Sequence, residues 1–294
     1  MLSSLRSFTQ TLRLFSLMVV AGVVLVSCGP ANQGAGEASP YDRAKDAFKS
    51  GQLDKALDLT YKLATATPPV DSTERARVLR AVIFTGEIKS GKELAEAYGK
   101  GAEKAKNPNF QSAYRRLKND NQQAAAKATL NLAETAHQIA PDGVIAKELT
   151  LEASYPTTEG PTEVKELARV EEGGWLESDQ QESAAAGALR KGVDGALADV
   201  VSGDRAKARQ ALAGGSVKLP GSAFAIFLAQ ELADGAVIFD RHHSRDPQKL
   251  MTLCDEGEET LKAALALLKG TPDKDQEQAA KKLQDKFKTI RKDR

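Results

Sequence analysis

The side chains best suited to metal binding or nucleophilic catalysis are few in this chain. It has three histidines, His137, His242 and His243, and two cysteines, Cys28 and Cys254. Zinc sites need His or Cys ligands at short, regular spacings, but the sequence contains no H-E-x-x-H and no C-x-x-C. Adjacent histidines at a helix end point in different directions. The pair at 242 and 243 therefore predicts a polar connection between helices and not a metal site.

The sequence also lacks the patterns of the common enzyme classes. It contains no G-x-S-x-G nucleophile turn and no G-x-x-x-x-G-K-[ST] phosphate loop. Neighbouring carboxylates such as Glu171 and Glu172 are explained by solvated helix faces. Cys254 lies on an apolar helical stripe, which predicts a small buried core residue more than a reactive thiol. We therefore expect that the protein is not an enzyme, and that it has no catalytic residue, no cofactor and no metal.

The start of the chain has the features of an export signal. Arg6 and Arg13 form a positive start without any acid, and residues 14–26 form an apolar run. That run is shorter than the roughly 20 apolar residues that a transmembrane helix needs. A positive start, a short apolar stretch and small residues at its end are typical of a secretory signal peptide. We therefore assign residues 1–27 to a signal peptide.

The chemistry expected of Cys28 follows from its neighbours. Leu25-Val26-Ser27-Cys28 sets an aliphatic residue, a variable residue and a small residue before the cysteine. This resembles the lipobox of bacterial lipoproteins, and the resemblance implies a diacylglyceryl thioether on Cys28. Two or more acyl chains give stable membrane attachment. Position 29 is Gly and not the Asp often seen in inner-membrane lipoproteins. The resemblance therefore implies an envelope protein that faces the periplasm and, in a Gram-negative organism, lies in the outer membrane more readily than in the inner.

Composition predicts a tether followed by an all-α body. Residues 28–40 are mostly Gly, Pro and small polar residues, which favours a flexible tether. Beyond residue 40 the chain is rich in helix formers, and alternating β-branched runs are almost absent. The chain has 41 basic and 40 acidic residues, and removal of residues 1–27 takes away two arginines, which leaves a net charge of −1. This balance gives no reason to expect a nucleic-acid partner.

The first part of the body has the pattern of a helical hairpin. Ala44 lies on the apolar face of one helix, Gly51 falls in a turn, Ala56 lies on a second helix and Pro68 ends the unit. This spacing resembles a tetratricopeptide repeat, although Ala47 stands where a Tyr is usual. The resemblance implies a fold of stacked helical hairpins.

Similar units follow along the chain. A second unit is predicted to turn at Ser90-Gly91 and to end at Asn107-Pro108, and residues 112–140 form one long helix or two. A repeat of about 34–40 residues is typical of helical solenoids. The sequence therefore predicts hairpin repeats over residues 41–140, as a tetratricopeptide-like solenoid or as a non-repetitive bundle of helical hairpins.

The second part of the body has a looser pattern. Residues 141–162 are predicted to be a linker, because Pro, Gly and Thr interrupt the helical periodicity there. Residues 163–294 are predicted to form a C-terminal helical domain, with the most apolar helix, at residues 222–239, in its centre. The basic residues of 274–294 are expected on the outer face of a terminal capping helix.

Fold class and anchor together suggest a function. Stacked helical hairpins present a concave surface suited to peptides or protein partners, although such an argument rests on analogy. The sequence predicts a non-catalytic, membrane-anchored scaffold for protein–protein interaction in the cell envelope, with Trp175 and Tyr98 as candidate partner contacts. The alternative is a ligand-binding lipoprotein associated with a solute transporter of the TRAP type, which would bind a small molecule.

Overall fold

The computed structural model describes residues 38–154, 165–242 and 246–292. Within these ranges the chain forms ten α-helices and one two-stranded sheet, which confirms the all-α fold class, a helical bundle or solenoid. The predicted signal peptide, Cys28 with most of the tether, and His243 lie outside the described residues. The residues from Ala38 onward belong to one compact unit.

The helices and strands are numbered in chain order. The helices are α1 (Pro40–Lys49), α2 (Leu53–Ala64), α3 (Thr73–Lys104), α4 (Pro108–Ile139), α5 (Lys165–Glu171), α6 (Ser178–Val201), α7 (Arg205–Ala211), α8 (Gly221–His242), α9 (Pro247–Leu268) and α10 (Lys274–Lys292). The strands are β1 (Glu148–Leu151) and β2 (Val217–Pro220), and single 3-10 turns lie at Pro141–Gly143 and Leu212–Gly214.

Several helices begin with the same N-terminal capping arrangement. A polar side chain accepts a hydrogen bond from a backbone N–H of the first turn, and a proline follows it directly. The proline loses nothing there, because its missing N–H would have had no partner within the helix. The pairs are Ser39-Pro40 at α1, Asn107-Pro108 at α4 and Asp246-Pro247 at α9.

The turn predicted at Ser90-Gly91 is wrong, since α3 runs through it without interruption. Gly91 lies instead where α3 crosses α4. A Cβ atom on Gly91 would lie 2.9 Å from the Cβ of Ala125 and 2.9 Å from the carbonyl oxygen of Asn121. Glycine is thus needed for close approach between helices and not for a turn. The next helical stretch is also a single helix, α4, with no break near residue 120.

A second glycine contact joins α3 to α6. A Cβ on Gly192 would lie 2.2 Å from the carbonyl oxygen of Gly86. Glycine at this position therefore permits the close approach of α3 and α6. Contacts of α3 with α6, and of α4 with α8, bring together helices that are far apart in the sequence. Such long-range pairs are typical of a bundle, whereas a solenoid repeat touches only its neighbours.

The apolar helix predicted at residues 222–239 is central, as expected. It corresponds to α8, whose buried face packs into the main hydrophobic core together with α3, α4, α9 and α10. Among the described residues, Gly221–Asp240 is the one helix long and apolar enough to cross a membrane, and 67% of its most apolar window is buried inside the fold. A core helix passes the same test by length and composition alone.

The small sheet was not predicted. Strand β1 pairs antiparallel with β2, with Leu149 opposite Leu219. Leu149, Leu151 and Leu219 are buried, while the residues between them face outward. Each strand has only four residues, too few for alternation to be distinguished from loop. The pairing ties the segment predicted as a linker to the start of α8.

The first helical hairpin is fastened to the rest of the body through Glu152. Its carboxylate accepts hydrogen bonds from Lys45 Nζ at 2.8 Å and Arg75 Nη1 at 2.6 Å. The hydroxyl of Tyr41 donates to the Glu152 carbonyl oxygen at 3.1 Å, and the guanidinium of Arg75 lies over the Tyr41 ring. Glu152, the residue directly after β1, thus binds both α1 and α3.

Candidate binding groove

A groove of about 470 Å³ opens between α2, α3, α4 and α6. We call it the Glu87 groove, after the one acid that α3 places in it. Apolar side chains from α2, α3 and α6 surround that acid, and polar side chains of α4 form one edge. The residues that characterise it are Leu57, Phe84, Glu87, Leu94, Lys127 and Leu189.

Helical spacing explains why α3 contributes most of the groove. Phe84, Glu87 and Leu94 follow each other at steps of three and seven residues, which places them on one face of a helix. Gly91 lies on the same face, and its missing side chain lets α4 approach and leaves room beside Leu94. The groove therefore depends on a long straight α3 and could not form if the chain turned at Gly91.

The carboxyl group of Glu87 has an unusual environment. Its burial, together with the negative charge of Asp54, raises the pKa of Glu87 to about 7, and the positive charges of Lys127 and Arg80 oppose this only in part. Within the described ranges, no hydrogen bond or ion pair to this carboxyl group is formed. A carboxyl that is largely buried without a partner is costly to ionise, and such groups are over-represented at functional sites.

Arg80 supports the groove but is not free to neutralise Glu87. Its Nη1 donates to the carbonyl oxygen of Leu57 at 2.7 Å. Its guanidinium also lies over the rings of Tyr61 and Phe84, 5.4 and 5.2 Å from their centroids. These contacts hold α2 against α3 and fix the Phe84 ring at the floor of the groove.

The α4 edge of the groove has the chemistry to bind a polypeptide backbone. Asn121 and Asn131 line it, ten residues apart, which corresponds to about 15 Å along a helix. Asn121 already donates one side-chain N–H to the Leu117 carbonyl oxygen at 2.7 Å, which leaves its amide oxygen and second N–H for a ligand. Amide side chains can both donate and accept hydrogen bonds, as the peptide groups of a bound strand require. An extended chain advances about 3.3 Å per residue, so the edge spans four to five residues of such a strand.

A second groove, of about 440 Å³, lies between α6, α8 and α10 and also contains a buried acid, Glu231. Burial raises the pKa of this carboxyl as well. Here, however, Lys89 supplies a partner, with its Nζ 2.9 Å from Glu231 and 3.0 Å from Asp199. The two acids therefore differ: Glu231 is buried and has a cation from its own chain, whereas Glu87 is half-buried and has none within ion-pair distance in the described structure.

The aromatic residues proposed from the sequence as partner contacts lie elsewhere. Trp175 is half-buried and stacks on Phe110, with ring centroids 4.7 Å apart. Tyr98 is only 2% exposed and packs against Tyr114 in a small core at the end of α3. The structure thus places Tyr98 inside the fold, which does not support a partner contact by its ring. Neither residue borders the Glu87 groove.

The residues considered for other chemistry are dispersed. Cys254 is fully buried, as predicted, and its burial raises the pKa of the thiol to about 11. His137 is exposed, with Nδ1 3.4 Å from Glu256, and His242 is the last residue of α8. No group of three or more potential metal ligands occurs in the part of the chain that the structure describes.

Sequence reasoning missed Glu87, although a signal existed. Every position of α3 from Leu79 to Ile88 is buried or half-buried, and two of these positions carry charge: Arg80 and Glu87. A charged residue within such a stretch needs either a partner or a function. The remaining features of the groove come from α2, α4 and α6, which are distant in sequence.

Comparison with known proteins gives no relative. No family model matches the chain, and no curated protein or solved structure matches it significantly.

Proposed function

We propose that this protein is a lipoprotein of the cell envelope, anchored through Cys28, whose helical body is a non-catalytic scaffold for a partner protein. The observation that supports it best is the Glu87 groove. Its four-helix wall combines apolar side chains with an amide-lined edge long enough for four to five extended residues. Such a surface suits a peptide segment, where pockets give specificity and polar groups fix orientation.

The sequence supports the location proposed for this scaffold. Leu25-Val26-Ser27-Cys28 resembles a lipobox, and residues 41–67 resemble a tetratricopeptide repeat. Gly29 favours the outer membrane over the inner. A lipid anchor followed by a tether would hold the groove a short distance from the membrane, facing the periplasm, where it can meet other envelope proteins.

The test is photo-crosslinking in living cells with the full, membrane-bound chain. A photoreactive amino acid replaces Ala124 or Ala185, two exposed residues at the edge of the groove, and replaces the exposed Ala266 of α9 as a matched control. We expect one protein to be captured from positions 124 and 185 and not from 266. If the groove positions capture no protein, or the same proteins as the control, the scaffold proposal is wrong.

A second candidate function is solute binding in association with a TRAP-type transporter. The observation that favours it is the groove volume of about 470 Å³, which lies in the range of small-molecule sites, about 300–1,000 Å³. Native mass spectrometry of the protein purified from its own membranes distinguishes the two. Two results together would favour the solute-binding function: a small molecule that binds the wild type but not the Leu94→Trp variant, and no protein adduct in the crosslinking experiment.

A further inference from the structure

The Glu87 carboxyl is a half-buried acid that lines an open groove and has no ion-pair partner among the described residues. The apolar side chains of Phe84, Leu94 and Leu189 line the same groove. By contrast, the fully buried Glu231 is matched by Lys89. A partly desolvated carboxylate without a cation is completed electrostatically by a ligand that brings a positive group to this point.

The charges around Glu87 come from three of the four helices. Helix α2 contributes Asp54, a second negative charge, and Asp58, which acts on Arg80. Helix α4 contributes Lys127, which is exposed at the edge, and Glu134, which acts on Arg80. Helix α3 itself contributes Arg80, whose guanidinium is engaged by the Leu57 carbonyl and two rings.

The fourth helix, α6, brings only apolar side chains to the groove, Ala185 and Leu189. A charged residue of α6 close by, Lys191, is paired with Glu93 at 2.7 Å. The charged side chains that line the groove are therefore Asp54, Glu87 and Lys127, with a net charge of −1 when all are ionised.

The lining of the site selects among cations. Apolar side chains line the groove together with the acid, so a suitable ligand combines an apolar stem with a compact positive charge. A lysine side chain has this form: four methylene groups and a terminal ammonium, whereas a guanidinium is broad and planar. The Arg80 guanidinium already lies over the Phe84 ring, which is the stacking position that an arginine would otherwise use.

We propose that the Glu87 groove binds a lysine side chain of the partner segment, with its methylene groups against Phe84, Leu94 and Leu189 and its ammonium on the Glu87 carboxylate. This inference rests on the proposed scaffold function and specifies the residue that the scaffold recognises. Asp54 adds a longer-range attraction for the same ammonium, and Asn121 and Asn131 bind the backbone that carries it.

The recognition chemistry can be measured without knowledge of the partner. The full chain, purified in detergent, carries ¹³C at its glutamate carboxyl carbons, and the Glu87 signal is identified by its loss in Glu87→Gln. Its pH midpoint is then measured alone and with three probes of equal length: n-pentylammonium, n-pentanol and pentanoate. Opposite charge near a carboxyl lowers its pKa. We expect pentylammonium to lower the midpoint by about one pH unit or more, while pentanol leaves it unchanged.

The photo-crosslinking experiment described above provides a second test of the lysine inference. The partner segment captured from positions 124 and 185 is sequenced by mass spectrometry, and we expect a lysine within it whose replacement by methionine reduces capture at least tenfold. Glu87→Gln should reduce capture equally, whereas Glu103→Gln, an exposed acid near the end of the same helix, should not. Circular dichroism checks that each variant is folded.

The possible failures are distinguishable. A captured partner without such a lysine, together with a Glu87 midpoint that pentylammonium does not move, overturns the lysine inference and leaves the scaffold intact. A midpoint shift without any captured protein overturns both and assigns the groove to a small amine.

Discussion

The ammonium of Lys89 lies 2.9 Å from the carboxylate of Glu231, a residue of which only 4% of the surface is exposed. The pair joins α3 to α8. Lys89 also reaches Asp199 on α6 at 3.0 Å, so one lysine connects three helices. Its neighbour two positions before, Glu87, points into a different groove and has no such partner in the described structure.

Replacement of Lys89 by Met should destabilise the protein. It leaves Glu231 buried without its cation, which typically costs about 1–3 kcal/mol. Burial already raises the pKa of Glu231, so the variant can take up a proton there at low pH. We therefore expect the loss in the free energy of unfolding to be larger at pH 8 than at pH 5, as measured by urea denaturation. Lys92→Met, exposed on the same helix, should show no loss at either pH.

Replacement of Gly192 by Ala should also destabilise the fold, although Ala is the better helix former. The new Cβ would lie 2.2 Å from the carbonyl oxygen of Gly86, so α3 and α6 must move apart. We expect a loss of about 2 kcal/mol or more, as for other overpacked core sites. The matched control is Gly195→Ala on the same helix, where the nearest atom is Lys89 Cδ at 3.7 Å. That variant should be neutral, or more stable by up to about 1 kcal/mol. Equal effects at both positions would contradict the close crossing.

The pH dependence of stability should report on Glu87. Its pKa is raised from 4.5 to about 7 in the folded state, so the folded protein binds this proton more tightly than the unfolded chain. The protonated Glu87 carboxyl therefore contributes to the free energy of unfolding at low pH, and this contribution is lost as the pH rises from 4.5 to about 7. Glu87→Gln removes that loss. The variant should gain stability relative to wild type from pH 5 to pH 8, by at most about 3 kcal/mol, since one pKa unit corresponds to about 1.4 kcal/mol.

This measurement needs a control for general charge effects. Glu103→Gln removes an exposed acid from the same helix and should leave the difference from wild type constant over the same pH range. A flat difference for Glu87→Gln as well would show that this carboxyl is solvated and would remove the basis for the lysine inference.

The single tryptophan offers a direct probe of the aromatic end of the bundle. Trp175 stacks on Phe110 and lies 5.5 Å from the ring of Tyr114. Phe110→Ala uncovers one face of the indole, so its fluorescence emission should shift to longer wavelength and acrylamide quenching should increase. Tyr61→Ala removes an exposed aromatic residue of α2 and should leave the emission unchanged. An unshifted spectrum in Phe110→Ala would mean that the stacking is not maintained in solution.

Thiol counting tests the anchor and the core together. Cys254 is fully buried, and burial raises the pKa of its thiol to about 11, so the folded protein should react very slowly with Ellman's reagent. Denaturation should expose one thiol if Cys28 carries a thioether. Two thiols after denaturation would contradict lipidation. A Cys28→Ser variant, which cannot be lipidated, should also give one thiol but should no longer partition with membranes.

Local patterns in the sequence were sufficient for the fold class and for many helix ends. The stop predicted at Asn107-Pro108 falls between α3 and α4, where the Asn107 side chain caps the start of α4, because capping is a property of adjacent residues. The central position of α8 followed from its apolar composition. The burial of Cys254 followed from its place on an apolar stripe.

Features that depend on contacts between distant segments were not accessible in the same way. The sequence predicts a turn at Gly91, because a glycine that permits a helix crossing and one that ends a helix have the same sequence signal. The strand pair Leu149–Leu219 joins positions seventy residues apart. Glu87 stands out along α3 as a charge within an apolar stretch, but its lack of a partner depends on α2, α4 and α6, which no spacing along α3 indicates.

The attachment of α1 through Glu152 has a mechanical consequence. If the chain is held at Cys28, any pull on the body enters at Pro40 and loads α1 first. The contacts that resist it are the Lys45 and Arg75 ion pairs to Glu152 and the hydrogen bond from Tyr41. Because these bonds converge on one residue beside the β1–β2 pair, part of the tension would pass to the sheet. Arg75 belongs to α3, and α2 follows α1 directly, so the rest would reach two walls of the Glu87 groove. A load on the tether would thus act on the groove itself.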